Sequence, residues 1–305
     1  MTTRWDCVVI GGGAAGLSAA LVLGRARMRT LVVDAGAQSN RAAHGIGGLL
    51  GFDGVPPAQL YATGREELSR YPSVEVRDGE VTSATAHEGG FTIGLAGGGV
   101  EEVRRVLLAS GMRYQMPHVA GLDEFWGGPV FHCPFCHGWE VRDQPLAVLA
   151  QGERAVHMAV LLTRWSDDVV VLSNGPADVN DAGRAQLAAH GIAIDERLLT
   201  RVTGAEGQLD AVVFTDGGSL NRRGLLVATT LHQRNGLARA LGVAFAPPGP
   251  ISEESVAVDA MWQTSVPGVF AAGDVSAQMP QVAAAVASGS AAAASIVRSA
   301  VEEDV

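Results

Sequence analysis

Between Phe131 and Glu140 the chain reads Phe131-His132-Cys133-Pro134-Phe135-Cys136-His137-Gly138-Trp139-Glu140, with two cysteines three apart and a histidine on either side of the pair. A C-x-x-C turn lowers one thiol pKa and closes an exchangeable disulfide, so Cys133 and Cys136 suit two-electron exchange with another dithiol. His137 adds an imidazole that titrates near neutral pH and can take a thiol proton and return it. His132 and Glu140 are weaker candidates for the same relay. The segment also admits blander interpretations: a pair of buried cysteines, a C-x-x-C-H haem attachment, or half of a zinc site. Haem attachment belongs outside the cytoplasm, and no export signal precedes the first strand. Zinc needs a second ligand pair, and the remaining histidines are dispersed. A redox dithiol is therefore favoured and no metal site is expected.

The elements that must position this pair begin with a βαβ unit. An apolar run Asp6 to Ile10 meets the turn Gly11-Gly12-Gly13-Ala14-Ala15-Gly16, a helix runs to about Arg27, and a strand Thr30 to Val33 ends at Asp34. Gly11 permits the tight turn, Gly13 lets a pyrophosphate approach the backbone, Gly16 allows close helix–strand packing, and Asp34 is placed for ribose hydroxyls. Residues Gln38 to Leu60 read as a loop over the ligand, with Asn40, Arg41 and His44 as its polar handles. Val74 to Glu80, Phe91 to Leu95 and Val100 to Leu108 read as a small antiparallel meander ending at Ala109-Ser110-Gly111.

A second βαβ pattern spans Leu146 to Ala150, a turn Gln151-Gly152-Glu153-Arg154-Ala155, a helix to about Trp165, and Val169 to Leu172. Its chemistry is eroded. Ala150 stands where the first glycine belongs, Glu153 could occupy the anion site, and Ser173-Asn174-Gly175 offers neither an acid for NADH nor an arginine for NADPH. The last third returns through Gly268 to Ala271 and Ala272-Gly273-Asp274 to a helix beginning near Gln281.

The 305 residues hold 39 glycines and 13 prolines, are 47% hydrophobic, and bury one large core or two ordinary ones. All 22 basic residues are arginine, which excludes a lysine Schiff base and a P-loop lysine. A formal charge of -10 without a basic stripe argues against nucleic acid. The alanine-rich stretch Gln281 to Val297 reads as a packed helix rather than a membrane span. A cytoplasmic protein without membrane attachment is expected. Cys7 reads as a small buried hydrophobe.

Over essentially its full length the chain resembles the low-molecular-weight thioredoxin reductases. The matching features are Gly11-Gly13-Gly16 with Asp34, the Ala109-Ser110-Gly111 strand tip, Cys133 and Cys136, Gly273-Asp274, and Pro280-Gln281-Val282 opening the last helix. The resemblance implies an α/β protein of two dinucleotide-binding, Rossmann-like domains, the second inserted in the first. Residues 1–115 and 247–305 form the FAD-binding domain, and 116–246 the degenerate pyridine-nucleotide-type domain carrying C-x-x-C. It implies that FAD is held by Gly11, Gly13, Gly16, Asp34, Gly111, Asp274 on the ribityl chain, and Gln281 and Val282 at the flavin N1/C2 carbonyl, to which the loop reading adds Asn40 as a cofactor contact. It further implies a homodimer in which Cys133 is the outer sulfur and Cys136 the one next to the flavin.

Two departures are informative. Reductases of this family carry an acid after the second cysteine, where this chain has His137, and they keep an intact nucleotide turn. Both departures resemble the flavin-dependent dithiol oxidases that close gliotoxin-like and holomycin-like disulfides. The leading expectation is oxidation of a small-molecule dithiol with oxygen as acceptor. The alternatives are NAD(P)H-dependent reduction of a protein disulfide such as thioredoxin, and a non-catalytic redox-responsive flavoprotein.

Overall fold

The structure, a computed structural model, describes residues 4–277 and 279–303. In chain order the first elements are β1 (Trp5–Ile10), α1 (Ala14–Arg25), β2 (Thr30–Asp34), α2 (Pro57–Leu68), β3 (Val74–Asp78), β4 (Val81–His87), β5 (Gly90–Leu95), β6 (Val100–Leu108) and β7 (Met112–Gln115). There follow β8 (Val130–Phe131), α3 (Pro134–His137), β9 (Leu146–Leu149), α4 (Gly152–Leu162), β10 (Val169–Leu172), α5 (Asp181–Ala189), β11 (Ala193–Asp195), β12 (Leu199–Ala205), β13 (Gln208–Phe214), β14 (Ser219–Asn221) and β15 (Gly224–Val227). The last are β16 (Thr230–Gln233), α6 (Leu237–Ala240), β17 (Val269–Ala271) and α7 (Val282–Glu303). The chain divides into two units, one of Met1–Arg41, Leu49–Tyr114 and Leu231–Val305, the other of Ala42–Gly48 and Gln115–Thr230.

In the first unit, β1 pairs in parallel with β2 on one side and β6 on the other, and β2 with β3. The apolar runs of β1 and β2 are almost wholly buried, as parallel strands covered on both faces must be. The nine-residue β6 serves two partners on its free edge: its first half pairs antiparallel with β5, and Val106 to Leu108 pair parallel with β17. The antiparallel meander is thus β4-β5-β6. Val74 to Glu80 does not belong to it, because α2 carries the chain back across the sheet and sets β3 parallel to β2. The same helix begins at Pro57, inside the stretch expected to be loop.

Leu231, Leu237, Ala238, Leu241 and Val243 are buried with the β1 and β6 side chains, and β16 pairs with β7. The chain therefore re-enters the first unit at Leu231 rather than near 247. By length and composition α7 could cross a membrane. Its Ala292, Ala293 and Ile296 are nevertheless fully buried beside Ala15, Ala19 and Leu23 of α1, which makes it a packed core helix.

The second unit is a parallel sheet in the order β11-β10-β9-β15-β8, with a separate antiparallel meander β12-β13-β14. Chain order reverses between β9 and β15, so its switch point lies at the carboxyl ends of those two strands. The α4 face made by Ala155, Val156, Ala159 and Leu162 packs into the core beneath.

Candidate active site

Strand β8 runs straight into the cysteine segment. Pro134 opens α3, a single turn in which the amides of Cys136 and His137 donate to the Cys133 carbonyl, at 3.2 Å each. That turn brings the Cα atoms of Cys133 and Cys136 to 5.3 Å, and the pair is disulfide-bonded. Cys133 is 7% exposed, whereas Cys136 is only partly buried. Of the two aromatic neighbours, Phe135 lies edge-on to Trp165, and Trp139 lies under the Arg142 guanidinium at 3.8 Å. The segment Ala42–Gly48 also belongs to this unit. A side chain at Gly47 would collide with the Cys136 carbonyl, and one at Gly127 would meet the Ala42 backbone at 2.7 Å. Of the loop's expected handles, His44 therefore lies with the dithiol, and Asn40 and Arg41 with the first unit.

His137 stacks on Phe131, with ring centroids 6.0 Å apart, and both its ring nitrogens are buried without a completed hydrogen bond. Burial pushes its pKa down; Glu140 and the Gly127 backbone oppose the shift, and His44 adds to it. His132 stacks on Trp126 and is pushed to about 4 by burial and by the charges of His137 and Arg154. Both imidazoles are therefore neutral at neutral pH, the form a general base requires. Cys7, in contrast, lies inside β1, its thiol pushed by burial to about 12, and takes no part in exchange.

The second unit's turn is not a copy of the first. In the first unit the left-handed residue is Gly11, at φ +111°, where a side chain would strike the Ala109 carbonyl. In the second, Ala150 avoids that region and the positive φ, +62°, moves to Gly152, two positions later. Gln151 donates to the Ser173 carbonyl at 2.9 Å, and Arg154 to the Thr229 carbonyl at 2.7 Å, across the ends of the neighbouring strands. Glu153 is exposed in the first turn of α4. Beyond β10, Ser173 donates to the Gly175 carbonyl, and the nearby Arg184 and Arg197 are paired with Glu196 and with Asp195 and Asp216.

The first unit gathers the remaining sequence-derived residues. Gly13 caps α1, and a side chain there would meet only Gln38, at 3.7 Å, leaving room for a phosphate against the helix terminus. Gly16 lies against the Gly11 carbonyl too closely for a side chain. Asp34 ends β2, buried, and accepts from the Gly36 amide, Gln38 and, at 2.6 Å, Arg65. Burial alone would raise its pKa, but those bonds and the Arg65 charge hold it below the usual carboxylate range.

Asn40 accepts from the Tyr61 hydroxyl at 2.5 Å, and Gly111, at φ +66°, turns the chain from β6 into β7. Asp274 accepts from the Tyr114 hydroxyl at 3.0 Å. Burial pushes Asp274 up, against the Tyr114 bond and the charge of Arg234, and burial beside Asp274 pushes Tyr114 well above its usual value. Gln281 gives its carbonyl to the Ala285 amide and so starts α7, which opens at Val282. An open glycine face at a helix terminus, with Asp34 at the end of β2 and Asp274 in the turn that follows β17, fits an adenine dinucleotide cofactor. Arg65, Tyr61, Tyr114 and Arg234 were not singled out from the sequence.

A family model described as pyridine nucleotide-disulphide oxidoreductase matches residues 5–289. The thioredoxin reductase tcpT of Claviceps purpurea is 33% identical over 294 residues, spanning 93% of this chain and 90% of that protein. The structure of HlmI is 38% identical with a TM-score of 0.92, covering all of this chain and 95% of its own. An oxidoreductase from Agrobacterium tumefaciens is 37% identical with a TM-score of 0.92, covering 98% of this chain and 99% of its own.

Proposed function

The chain belongs to the pyridine nucleotide-disulphide oxidoreductase family, and from that premise we propose that it is a FAD-dependent dithiol oxidase acting through Cys133 and Cys136. It is a thioredoxin reductase-like flavoprotein oxidoreductase, and the proposal concerns the direction of electron flow. Gly13, Asp34, Asn40, Gly111, Asp274 and the start of α7 at Gln281 and Val282 are the residues that would hold FAD. The chemistry FAD supplies when bound is acceptance of the electron pair released at the cysteines and its delivery to dioxygen, giving hydrogen peroxide.

The exchange itself is the work of the second unit. A substrate thiolate attacks the Cys133 sulfur, the Cys133–Cys136 bond breaks, and the pair of electrons leaves on Cys136. The second substrate thiol then attacks the substrate sulfur of the mixed disulfide and expels Cys133, so the substrate leaves as a disulfide and both cysteines are reduced. His137 is the base. It is neutral in the oxidised protein, and Glu140 and the Gly127 backbone favour the imidazolium formed when it takes a thiol proton.

The observation that carries the direction is the second nucleotide turn, where Ala150 replaces the first glycine and the left-handed residue has moved to Gly152. A nicotinamide dinucleotide needs its pyrophosphate against a tight glycine turn. The oxidase and reductase readings differ in the electron source, a dithiol or NAD(P)H. Stopped-flow reduction of the bound flavin separates them. A small dithiol should reduce it far faster than NADPH or NADH, and turnover in air should release peroxide. Rapid reduction by NADPH followed by efficient reduction of thioredoxin would overturn the proposal. The reading includes a homodimer, as the family resemblance implies, and the cytoplasmic setting expected from the sequence.

A further inference from the structure

The switch point of the second sheet, where this fold class places ligands, holds a side chain of the protein itself. Strands β8 and β15 are parallel neighbours, with Phe131 opposite Leu226, so His132 and Cys133 leave the sheet on the same edge as Val227 to Thr229. Arg154 reaches that edge from the first turn of α4 and donates to the carbonyl of Thr229, a residue 1% exposed. No carboxylate among the described residues pairs with Arg154, and burial alone shifts its pKa, downward, without removing the charge. Its field is felt at His132, next to Cys133.

The other titratable groups around the dithiol are His44, His132, His137 and Glu140. The two buried imidazoles are neutral, and Glu140 is an acid. Arg154 is thus a permanent positive charge held inside this cluster, whereas Arg142, stacked on Trp139, is exposed to solvent.

We propose that Arg154 is a positioning residue of the dithiol site, a fixed cation that holds the Cys133 sulfur as a thiolate once the disulfide is open. The proposal rests on the exchange described above, in which Cys133 is the sulfur a substrate meets. A stabilised thiolate is the better leaving group. In the second half of the exchange, when the substrate's second thiolate forms its intramolecular disulfide, the bond to Cys133 breaks and the electron pair departs on that sulfur. Arg154 stabilises the charge that appears there.

The thiol can be titrated directly. In reduced, flavin-loaded protein carrying Cys136→Ser, the alkylation rate of Cys133 by the neutral reagent iodoacetamide is followed against pH; Cys7 is buried and silent. Arg154→Gln, which keeps a donor for Thr229 but no charge, should move the midpoint up by about one pH unit and slow alkylation at pH 7 up to tenfold. Arg154→Lys should restore the midpoint to within a few tenths. If Arg154→Gln does not fold, as judged by flavin content and circular dichroism, Arg154→Met makes the same comparison. An unchanged midpoint in the neutral variant overturns the proposal, as does an equal displacement in Arg154→Lys, which would trace the effect to packing. Turnover plays no part in the readout, so failure of the oxidase reading leaves this result standing, and the reverse holds too.

Discussion

Replacing His132 by phenylalanine should flatten the acid side of the stability profile. The imidazole normally titrates at 6.5, and burial, with the charges of His137 and Arg154, brings it to about 4 in the folded chain. Between those values the unfolded chain binds the extra proton and the folded one does not. The neutral form's contribution is therefore fully present above pH 6.5 and is lost as pH falls toward 4. The full difference is about 3 kcal/mol, of which about 1.4 kcal/mol is already lost at pH 5.5. Phenylalanine keeps a flat ring on Trp126 but cannot titrate. Urea unfolding of the two proteins at pH 8 and pH 5.5 gives four free energies. The wild type should lose about 1.4 kcal/mol more than the variant between the two pH values. Equal losses would refute the argument, because they would mean that His132 is protonated in the folded chain much as it is in the unfolded one.

Asp274→Ala should weaken FAD binding about ten- to a hundredfold, the usual cost of losing charged hydrogen bonds; flavin absorbance per polypeptide after gel filtration measures it, and full retention would remove Asp274 from the cofactor site. His137→Ala should keep its flavin and disulfide but oxidise a dithiol about 10² to 10⁴ more slowly near neutral pH, with partial recovery as the substrate thiol ionises at higher pH. An unchanged pH–rate profile would leave His137 only a structural role.

What could be read from the sequence was local. The strand, glycine turn, helix and terminal acid from Asp6 to Asp34 fall within one stretch whose periodicity and turn chemistry specify each other, and the structure builds them as β1, α1 and β2. The C-x-x-C segment was legible for the same reason. Val74 to Glu80 misled because β3 is the half-exposed edge of its sheet and so alternates like a hairpin strand, while α2 was hidden behind Pro56 and Pro57 in a glycine-rich stretch. The partners of Asp274 were out of reach: Tyr114 is 160 residues away, and no local pattern announces the pair. Arg154 was visible as an intrusion in a glycine turn, but its anchor, Thr229, lies on another strand.

The short segment Ala42–Gly48 has a consequence for how the protein is made. It belongs with residues 115–230 although the chain on either side of it belongs elsewhere, and Gly47 touches the Cys136 backbone. During synthesis it emerges about 90 residues before Cys136, which at ribosomal speeds is roughly 5 to 20 s with its final partner still unmade. The dithiol turn cannot complete its packing until an early piece of chain is handed across to a late one. A fragment cut at 115 and 230 would lack that piece altogether, so the redox half of this molecule cannot be excised as one continuous stretch.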